Sequence, residues 1–391
     1  MAEPESQYKE LRAGFPLNLR EGACLALLSP RYATCRACEA ICPVRAIHVS
    51  ETALTLDESC LNCARCAAAC PMGALETPGF AVADIAQEAT HSIAVDCWKV
   101  PRDISPEGAV RVPCLGGLSA GRINDLVALA GQRPVVLLDR GWCSQCSAGG
   151  GGDHPASAAL NSALSLLEKA GMATGELPWL ELMPLPDKYL PADIPNADTQ
   201  QQLSRRAFFG ALLGKSAAAI GQAQHLTGKS ELRRKRGFEL EPVSSRERDR
   251  VLHSMQRITR RTGHPLPPEL FYRLEISDAC RNHLLCAKVC PTGALDIHEE
   301  ENYSGLTFDG SFCIGCGHCV TVCPNEAIQL LPNGNNPLPV WPVQLTRFGE
   351  QSCAGCGRSY PASSGEEICP QCLKRRQLSN FAFHTLFGEE R

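Results

Sequence analysis

The chain has 391 residues, a formal net charge of −4, an ordinary apolar fraction of 44% and 23 cysteines. That length suits two to four separate cores. The acidic balance excludes nucleic acid as the main partner, because phosphate binding needs a strongly basic face. No apolar run reaches the roughly 18 residues of a simple membrane-spanning helix. The cysteines fall in tight groups, which is how ligands are arranged. A disulfide framework needs an oxidising compartment, and the first twenty residues are polar, mixed in charge and without an apolar leader. The expectation is a cytoplasmic protein whose thiols hold metal.

In chain order, residues 1–22 read as an N-terminal arm and 23–88 as a first metal-binding module. Four times the chain reads Cys-Pro, two residues, Ala and an aliphatic residue, at Cys42-Pro43, Cys70-Pro71, Cys290-Pro291 and Cys323-Pro324. Each follows closely spaced cysteines. Cys-x2-Cys-x2-Cys wraps one cubane, and the fourth Cys, three residues on, ligates the neighbouring cluster. The proline then redirects the chain. Two copies are complete: Cys60, Cys63, Cys66, Cys70 and Cys313, Cys316, Cys319, Cys323. The copy at the start of the chain is Cys24, then Cys35-x2-Cys38-x3-Cys42, with a long first spacer. Cys24 is a ligand or a buried thiol.

The segment Cys24-Leu25-Ala26 followed by Cys35-Arg36-Ala37-Cys38 and Cys42 resembles the ferredoxin-type proteins of periplasmic nitrate reductase systems, which have a widened first spacing. The resemblance favours Cys24 as a ligand. The exchange rule then assigns one cluster to Cys24, Cys35, Cys38 and Cys70, and its neighbour to Cys42, Cys60, Cys63 and Cys66.

Residues 89–190 change character. SIAVDC and GAVRVPC are short apolar runs, SAGRINDLVALAG has helical spacing, and PVVLLD reads as a buried strand. Strand, helix and strand in alternation predict a small parallel α/β sheet. Cys97 and Cys114 follow the first two strands, and Cys143 and Cys146 the third, so all four converge at one sheet edge. Four such thiols suit a [2Fe-2S] centre or a structural zinc. The order of these motifs resembles the delta subunit of methyl-viologen-reducing hydrogenases, which implies a [2Fe-2S] electron adaptor. A further Cys or His usually follows the last pair in that family, whereas Ser147 and a glycine run at 149–152 stand here. The run lacks the Lys-Ser or Lys-Thr of a phosphate loop and reads as a flexible connection.

Residues 191–265 read as a polar linker. The string Ser204-Arg205-Arg206-Ala207-Phe208-Phe209-Gly210 looks like a twin-arginine export signal. Its internal position argues for a relic, a fusion scar or a short helix packed on a module or a partner. Arg233, Arg234, Lys235 and Arg236 form a basic knot that could touch anionic lipid or an acidic partner at the inner membrane, although most such runs are simply solvated.

Residues 266–335 repeat the module, with His283 where the second cysteine of Cys280-x2-His283-x2-Cys286-x3-Cys290 should stand. Three outcomes are open: a histidine-ligated cluster of raised potential, a three-iron [3Fe-4S] cluster, or an empty site. An occupied site on Cys280, Cys286 and Cys323, with His283 as the candidate fourth ligand, is the expectation, beside a cluster on Cys290, Cys313, Cys316 and Cys319. In the tail, 336–391, Cys353-x2-Cys356 and Cys369-x2-Cys372 specify a tetrahedral four-thiolate site, with zinc as default occupant and rubredoxin-like iron as runner-up.

The expected fold is thus α+β and multidomain: two bacterial-type 2[4Fe-4S] ferredoxin modules flank a small parallel α/β domain, with a zinc-ribbon-like tail. About four [4Fe-4S] clusters, a possible [2Fe-2S] centre and zinc, without a nucleotide or substrate motif, predict electron transfer rather than catalysis. The partners would be redox proteins, and the nitrate-reductase resemblance implies a molybdoenzyme of nitrate reductase or formate dehydrogenase type. Two alternatives are a maturation factor for such an enzyme and a non-conducting scaffold or redox sensor.

Overall fold

A computed structural model describes residues 9–11, 17–28, 35–77, 92–190, 241–361 and 367–387. The chain forms two units. One comprises Met1–Leu27, Cys35–Gly237 and Arg246–Pro267, and the other Leu28–Thr34, Phe238–Ser245 and Pro268–Arg391. The strings at 204–210 and 233–236 lie outside the described residues.

In the first unit, β1 (Lys9–Glu10) pairs antiparallel with β2 (Asn18–Leu19), and the short helices α1 (Leu25–Leu28) and α2 (Ala37–Ile41) follow. Next, β3 (Ile47–Val49) and β4 (Leu54–Leu56) form an antiparallel hairpin. Ile47 and Leu54 point inward and are buried, while His48 turns out to pair with Asp57 at 3.2 Å. After α3 (Arg65–Ala68), β5 (Leu75–Glu76) closes the outer sheet against β2. Residues 18 and 19, expected in a separate arm, therefore belong to the sheet.

The same unit then builds a parallel sheet from β6 (Ile93–Cys97), β7 (Val110–Val112), β8 (Val135–Asp139) and β9 (Trp179–Leu182), in the order β7-β6-β8-β9. Helix α4 (Ala120–Ala130) joins β7 to β8, and α5 (Ser157–Lys169) joins β8 to β9. Ser119 caps α4 by accepting the Arg122 N–H at 3.1 Å. The end of the stretch expected to be linker is helical: α6 (Arg246–Thr262) packs along α4 and buries Met255 and Ile258. The guanidinium groups of Arg257 and Arg261 donate to the Ala128 and Gly131 carbonyls and so satisfy the C-terminal end of α4. Its arginines hide an apolar stripe at Val251, Met255 and Ile258.

Beneath the sheet edge lies a buried ion pair. The Asp96 carboxylate is fully buried and accepts from Arg140 Nε and Nη2 at 3.2 and 2.7 Å and from Ser105 Oγ at 2.7 Å. It also takes the Cys97 backbone N–H at 2.9 Å, which fixes the residue that ends β6. Arg111 stands 3.6 Å away as a second cation.

In the second unit, β10 (Tyr272–Ile276), α7 (Leu285–Lys288), β11 (Leu295–Glu300), β12 (Tyr303–Phe308), α8 (His318–Val322) and β13 (Ile328–Pro332) repeat the first pattern. An outer antiparallel pair, β10 with β13, encloses a hairpin of β11 and β12. Leu274, Leu295, Leu306, Phe308 and Ile328 form the core, and Trp341 packs edge-on against Phe308 at 5.6 Å. The tail is continuous with this unit, because β14 (Val343–Ser352) adds to β12 and β15 (Ser359–Pro361) adds to β14 before α9 (Pro370–Phe387). Among the described residues, no helix is long and apolar enough to cross a membrane.

Removing one partner of a buried ion pair strands the other charge, at a cost of about 3–5 kcal/mol. Asp96→Ala should therefore lower the denaturation midpoint of the first unit sharply, measured by chemical unfolding followed at Trp98 and Trp142. A midpoint equal to that of the parent protein would mean that the Arg140 pairing contributes nothing.

Candidate metal centres

The Cys-Pro turns share one backbone solution. The third residue after each Cys is left-handed: Arg45, Gly73, Gly293 and Glu326 have φ of 52°, 59°, 69° and 50°. This turns a following backbone N–H back onto the sulfur. Ala46 donates to Cys42 Sγ at 3.2 Å, Ala74 to Cys70 at 3.2 Å, Leu295 to Cys290 at 3.4 Å and Ala327 to Cys323 at 3.3 Å. A non-Gly residue there costs about 1–2 kcal/mol, and donors aimed at sulfur favour a thiolate.

The Cys-x2-Cys-x2-Cys loops repeat a second device. The residues on either side of the middle position are left-handed in all three: Asn62 and Ala64 around Cys63, Gly315 and Gly317 around Cys316, and Asn282 and Leu284 around His283. The histidine loop thus keeps the backbone of the cysteine loops. Asn282 is buried and donates to Ser304 Oγ at 2.9 Å.

These turns gather the thiols into sets. Burial and the neighbouring Cys24, Cys70 and Cys35 push the Cys38 thiol up to about 12, and burial also raises Cys24 and Cys70. Cys42, Cys60, Cys63 and Cys66 line one small cavity, and burial with three thiol neighbours raises Cys66 well above its ordinary value. Cys66 also feels Cys38, so the two sets adjoin. In the second unit, Cys290, Cys313, Cys316 and Cys319 line one cavity, and Cys280, Cys286, Cys323 and the exposed His283 line another. Burial holds Cys286 at about 11 and raises Cys319, which has Cys316, Cys290 and Cys313 as neighbours.

Such sets fit a positively charged inorganic core. Buried thiols packed together resist ionisation, and a metal supplies the charge that lets them ionise. The sulfur-directed N–H groups would hold the cluster sulfur ligands and tune their potential.

In the parallel domain, Cys97 ends β6, Cys114 follows β7, and Cys143 and Cys146 follow β8. All four line a cavity of about 170 Å³. Burial pushes Cys97 up to about 11 and Cys114 to about 12, and raises Cys143 with help from Asp139. Two cations face the thiols: Lys99 Nζ donates to Cys146 Sγ at 3.5 Å, and the buried Arg140 lines the cavity. The sequence reading missed His154. The glycine run folds back so that His154, Asp139 and Cys143 place ligand atoms within 4.8 Å of one another. Gly149 permits this return, since a Cβ there would meet the Cys143 carbonyl oxygen at 1.7 Å. Only the folded loop reveals the proximity of a histidine eleven residues beyond Cys143.

The tail site is of another kind. Cys353, Cys356, Cys369 and Cys372 all place sulfur within 4.8 Å of one another, which suits a single tetrahedral ion rather than a cluster. The Cys369 N–H donates to Cys353 Sγ at 3.1 Å, and such backbone donation lowers Cys353 to about 6. Hydrogen bonds from Cys356 and Cys369 push Cys372 up to about 12.

Residues 278–327 match the family model of the 4Fe-4S dicluster domain. This segment is of ferredoxin type, and its chemistry is iron-sulfur electron transport. Similar proteins point the same way. NADH-quinone oxidoreductase subunit I of Pelobacter propionicus is 30% identical over 107 residues, covering 23% of this chain and 58% of its own length. Pyruvate synthase subunit PorD of Thermotoga maritima is 36% identical over 55 residues, 14% of this chain and 52% of its own. A ferredoxin of Pyrobaculum islandicum is 29% identical over 83 residues, 21% of this chain and 74% of its own. The chain thus spans little more than half of the first two relatives.

Metal binding by the tail should weaken as pH falls. Above about 6 Cys353 is already a thiolate, and below it protons compete with the metal. With the tail loaded with a divalent metal ion, competition with a chromophoric chelator should show the ion released on acidification through this value, while a pH-independent affinity would refute the assignment of Cys353. Exchanging the charge beside Cys146 is a second test: Lys99→Gln should lower the midpoint potential of a redox centre in this site, because a cation favours the reduced form. Redox potentiometry showing no shift would remove Lys99 from the site's electrostatics.

Proposed function

We propose that the chain is an iron-sulfur electron relay with two ferredoxin modules, one in each unit, serving a larger oxidoreductase. The observation that carries this reading is the shared backbone of the Cys-Pro turns, with a left-handed residue and an N–H aimed at sulfur in both units, of which residues 278–327 match the family model. In the first module Cys24, Cys35, Cys38 and Cys70 hold one cubane and Cys42, Cys60, Cys63 and Cys66 the other. In the second, Cys290, Cys313, Cys316 and Cys319 hold a cubane. Cys280, Cys286 and Cys323, with His283 at the mouth, hold a three-cysteine cluster. Cys97, Cys114, Cys143 and Cys146 hold a further redox centre, of [2Fe-2S] type on the hydrogenase delta-subunit resemblance, and the tail holds zinc.

When bound, such clusters accept and release single electrons without bond rearrangement. The protein's part is to bury the thiolates, aim N–H donors and cations at sulfur, and keep successive sites close. The similarity to subunits whose names place them in NADH-quinone oxidoreductase and pyruvate synthase supports redox-protein partners. The Cys24–Cys42 resemblance adds a molybdoenzyme of nitrate reductase or formate dehydrogenase type as partner class. Clustered free thiols support a reducing, cytoplasmic setting.

Anaerobic purification with cofactor assembly intact, followed by iron and acid-labile sulfide analysis and electron paramagnetic resonance, tests the reading. Zinc alone, without sulfide, would overturn it. The ligand exchange makes a sharper forecast: Cys70→Ala should abolish the signal of the cluster on Cys35 and Cys38 and spare that on Cys60, Cys63 and Cys66, and the reverse loss would refute the pairing. At the remaining site, His283→Cys should shift the spectrum and potential of the cluster on Cys280, Cys286 and Cys323, and an unchanged spectrum would exclude His283 as a ligand.

A further inference from the structure

Within the first unit, the loop that carries Cys60, Cys63 and Cys66 lies directly against the parallel-domain site. Leu61, Asn62 and Cys63 line the same cavity as Cys97, Cys114, Cys143 and Cys146. Leu61 and Cys63 pack against the buried cluster that contains Cys114, Trp142 and Cys146. Two further contacts fix the approach. A Cβ at Gly117 would lie 2.7 Å from the Cys63 carbonyl oxygen and 3.0 Å from Ala64 Cβ, so the turn after Cys114 presses backbone to backbone on the cluster loop. Arg65, between Cys63 and Cys66, reaches across to donate from Nη1 to the Ala148 carbonyl at 3.1 Å and the Gly149 carbonyl at 2.9 Å, just past Cys146.

We propose that this contact is an intramolecular electron junction, with the Cys63–Cys114 edge as its crossing point and Arg65 as its positioning residue. The inference rests on the relay reading and adds the order of sites: the set on Cys42, Cys60, Cys63 and Cys66 exchanges electrons directly with the parallel-domain site. One electron leaves the reduced group of the first site and arrives on the oxidised group of the second, and no bond forms or breaks. In the test the electron comes from a low-potential one-electron reductant. A clamp made of two carbonyl acceptors and one guanidinium suits this task. Arg65 ties the cluster loop to the segment bearing Cys143 and Cys146, so the separation of the two thiol sets is fixed by hydrogen bonds rather than by a flexible connection. Its charge also lies between two sites that gain negative charge on reduction.

The test uses the full chain, prepared anaerobically, with iron and sulfide counted for every variant. In the fully reduced protein, the paramagnetic resonance signal of the parallel-domain centre should be split, or its relaxation accelerated, by the neighbouring reduced cluster. Arg65→Ala should diminish this interaction at unchanged iron content, and Arg65→Lys should restore part of it. Gly117→Val, which wedges the two backbones apart, should diminish it independently and serves if Arg65→Ala does not fold. Signals that simply add, with both centres reduced, would overturn the junction. Undiminished coupling in Arg65→Ala would overturn the role of Arg65. Zinc in the parallel-domain site would overturn the junction while leaving the two ferredoxin modules standing. Absence of sulfide throughout would instead sink the relay reading itself.

Discussion

Burying a thiolate among other thiolates is unfavourable unless something cationic pays for it, and the architecture follows from that constraint. Cys38, Cys66, Cys114 and Cys319 are each pushed up first by burial and then by neighbouring thiols. Left to themselves these groups would remain protonated, and their sets would contribute little to holding the loops. A metal core reverses the sign: every ionised thiol then becomes a crosslink between segments far apart in sequence. The cores around the sites can be small because ligation replaces part of what apolar burial supplies in a larger domain.

The backbone shows that the loops are built toward this end. Asn62, Ala64, Asn282, Leu284, Arg45 and Glu326 all occupy left-handed conformations that side chains disfavour, at equivalent places where other copies use glycine. A chain tolerates such conformations where the surroundings over-determine them, and they concentrate at functional sites. Here the return is the N–H aimed at sulfur in each Cys-Pro turn. The loop around His283 adopts the same conformation as those around Cys63 and Cys316.

Much of the thiol arrangement was legible in the sequence because ligand spacing is local: Cys-x2-Cys-x2-Cys is set by the reach of a short loop around a core, and the Cys-Pro turn by proline and the residue two places on. The parallel sheet was equally legible, since PVVLLD and SIAVDC are short apolar runs broken by turn residues. What escaped was nonlocal. Residues 18 and 19 show their strand character only by pairing with Leu75 and Glu76. The helix at Arg246–Thr262 hides its stripe among arginines and becomes interpretable when Met255 and Ile258 meet α4. The tail, although a separate motif in sequence, continues the sheet of the second unit because β14 finds β12. His154 reaches Cys143 through a glycine loop whose course no spacing rule fixes.

The same distinction explains the first unit. Two motifs well apart in sequence, one the cluster loop of Cys60, Cys63 and Cys66 and the other the sheet edge of Cys97, Cys114, Cys143 and Cys146, each belong to their own thiol set and could in principle have folded apart. They are joined instead by small and polar features that no metal-ligand pattern includes: the missing side chain at Gly117, the carbonyls of Ala148 and Gly149, and the guanidinium of Arg65. Asp96 performs the matching task on the sheet side, holding the Cys97 backbone and Arg140 in one buried network. Ligand motifs therefore determine what each site can hold, whereas the residues between sites determine how closely the sites approach. On the proposed relay reading the second set of residues matters as much as the first, because the rate of transfer depends on separation and the ligands alone do not fix it.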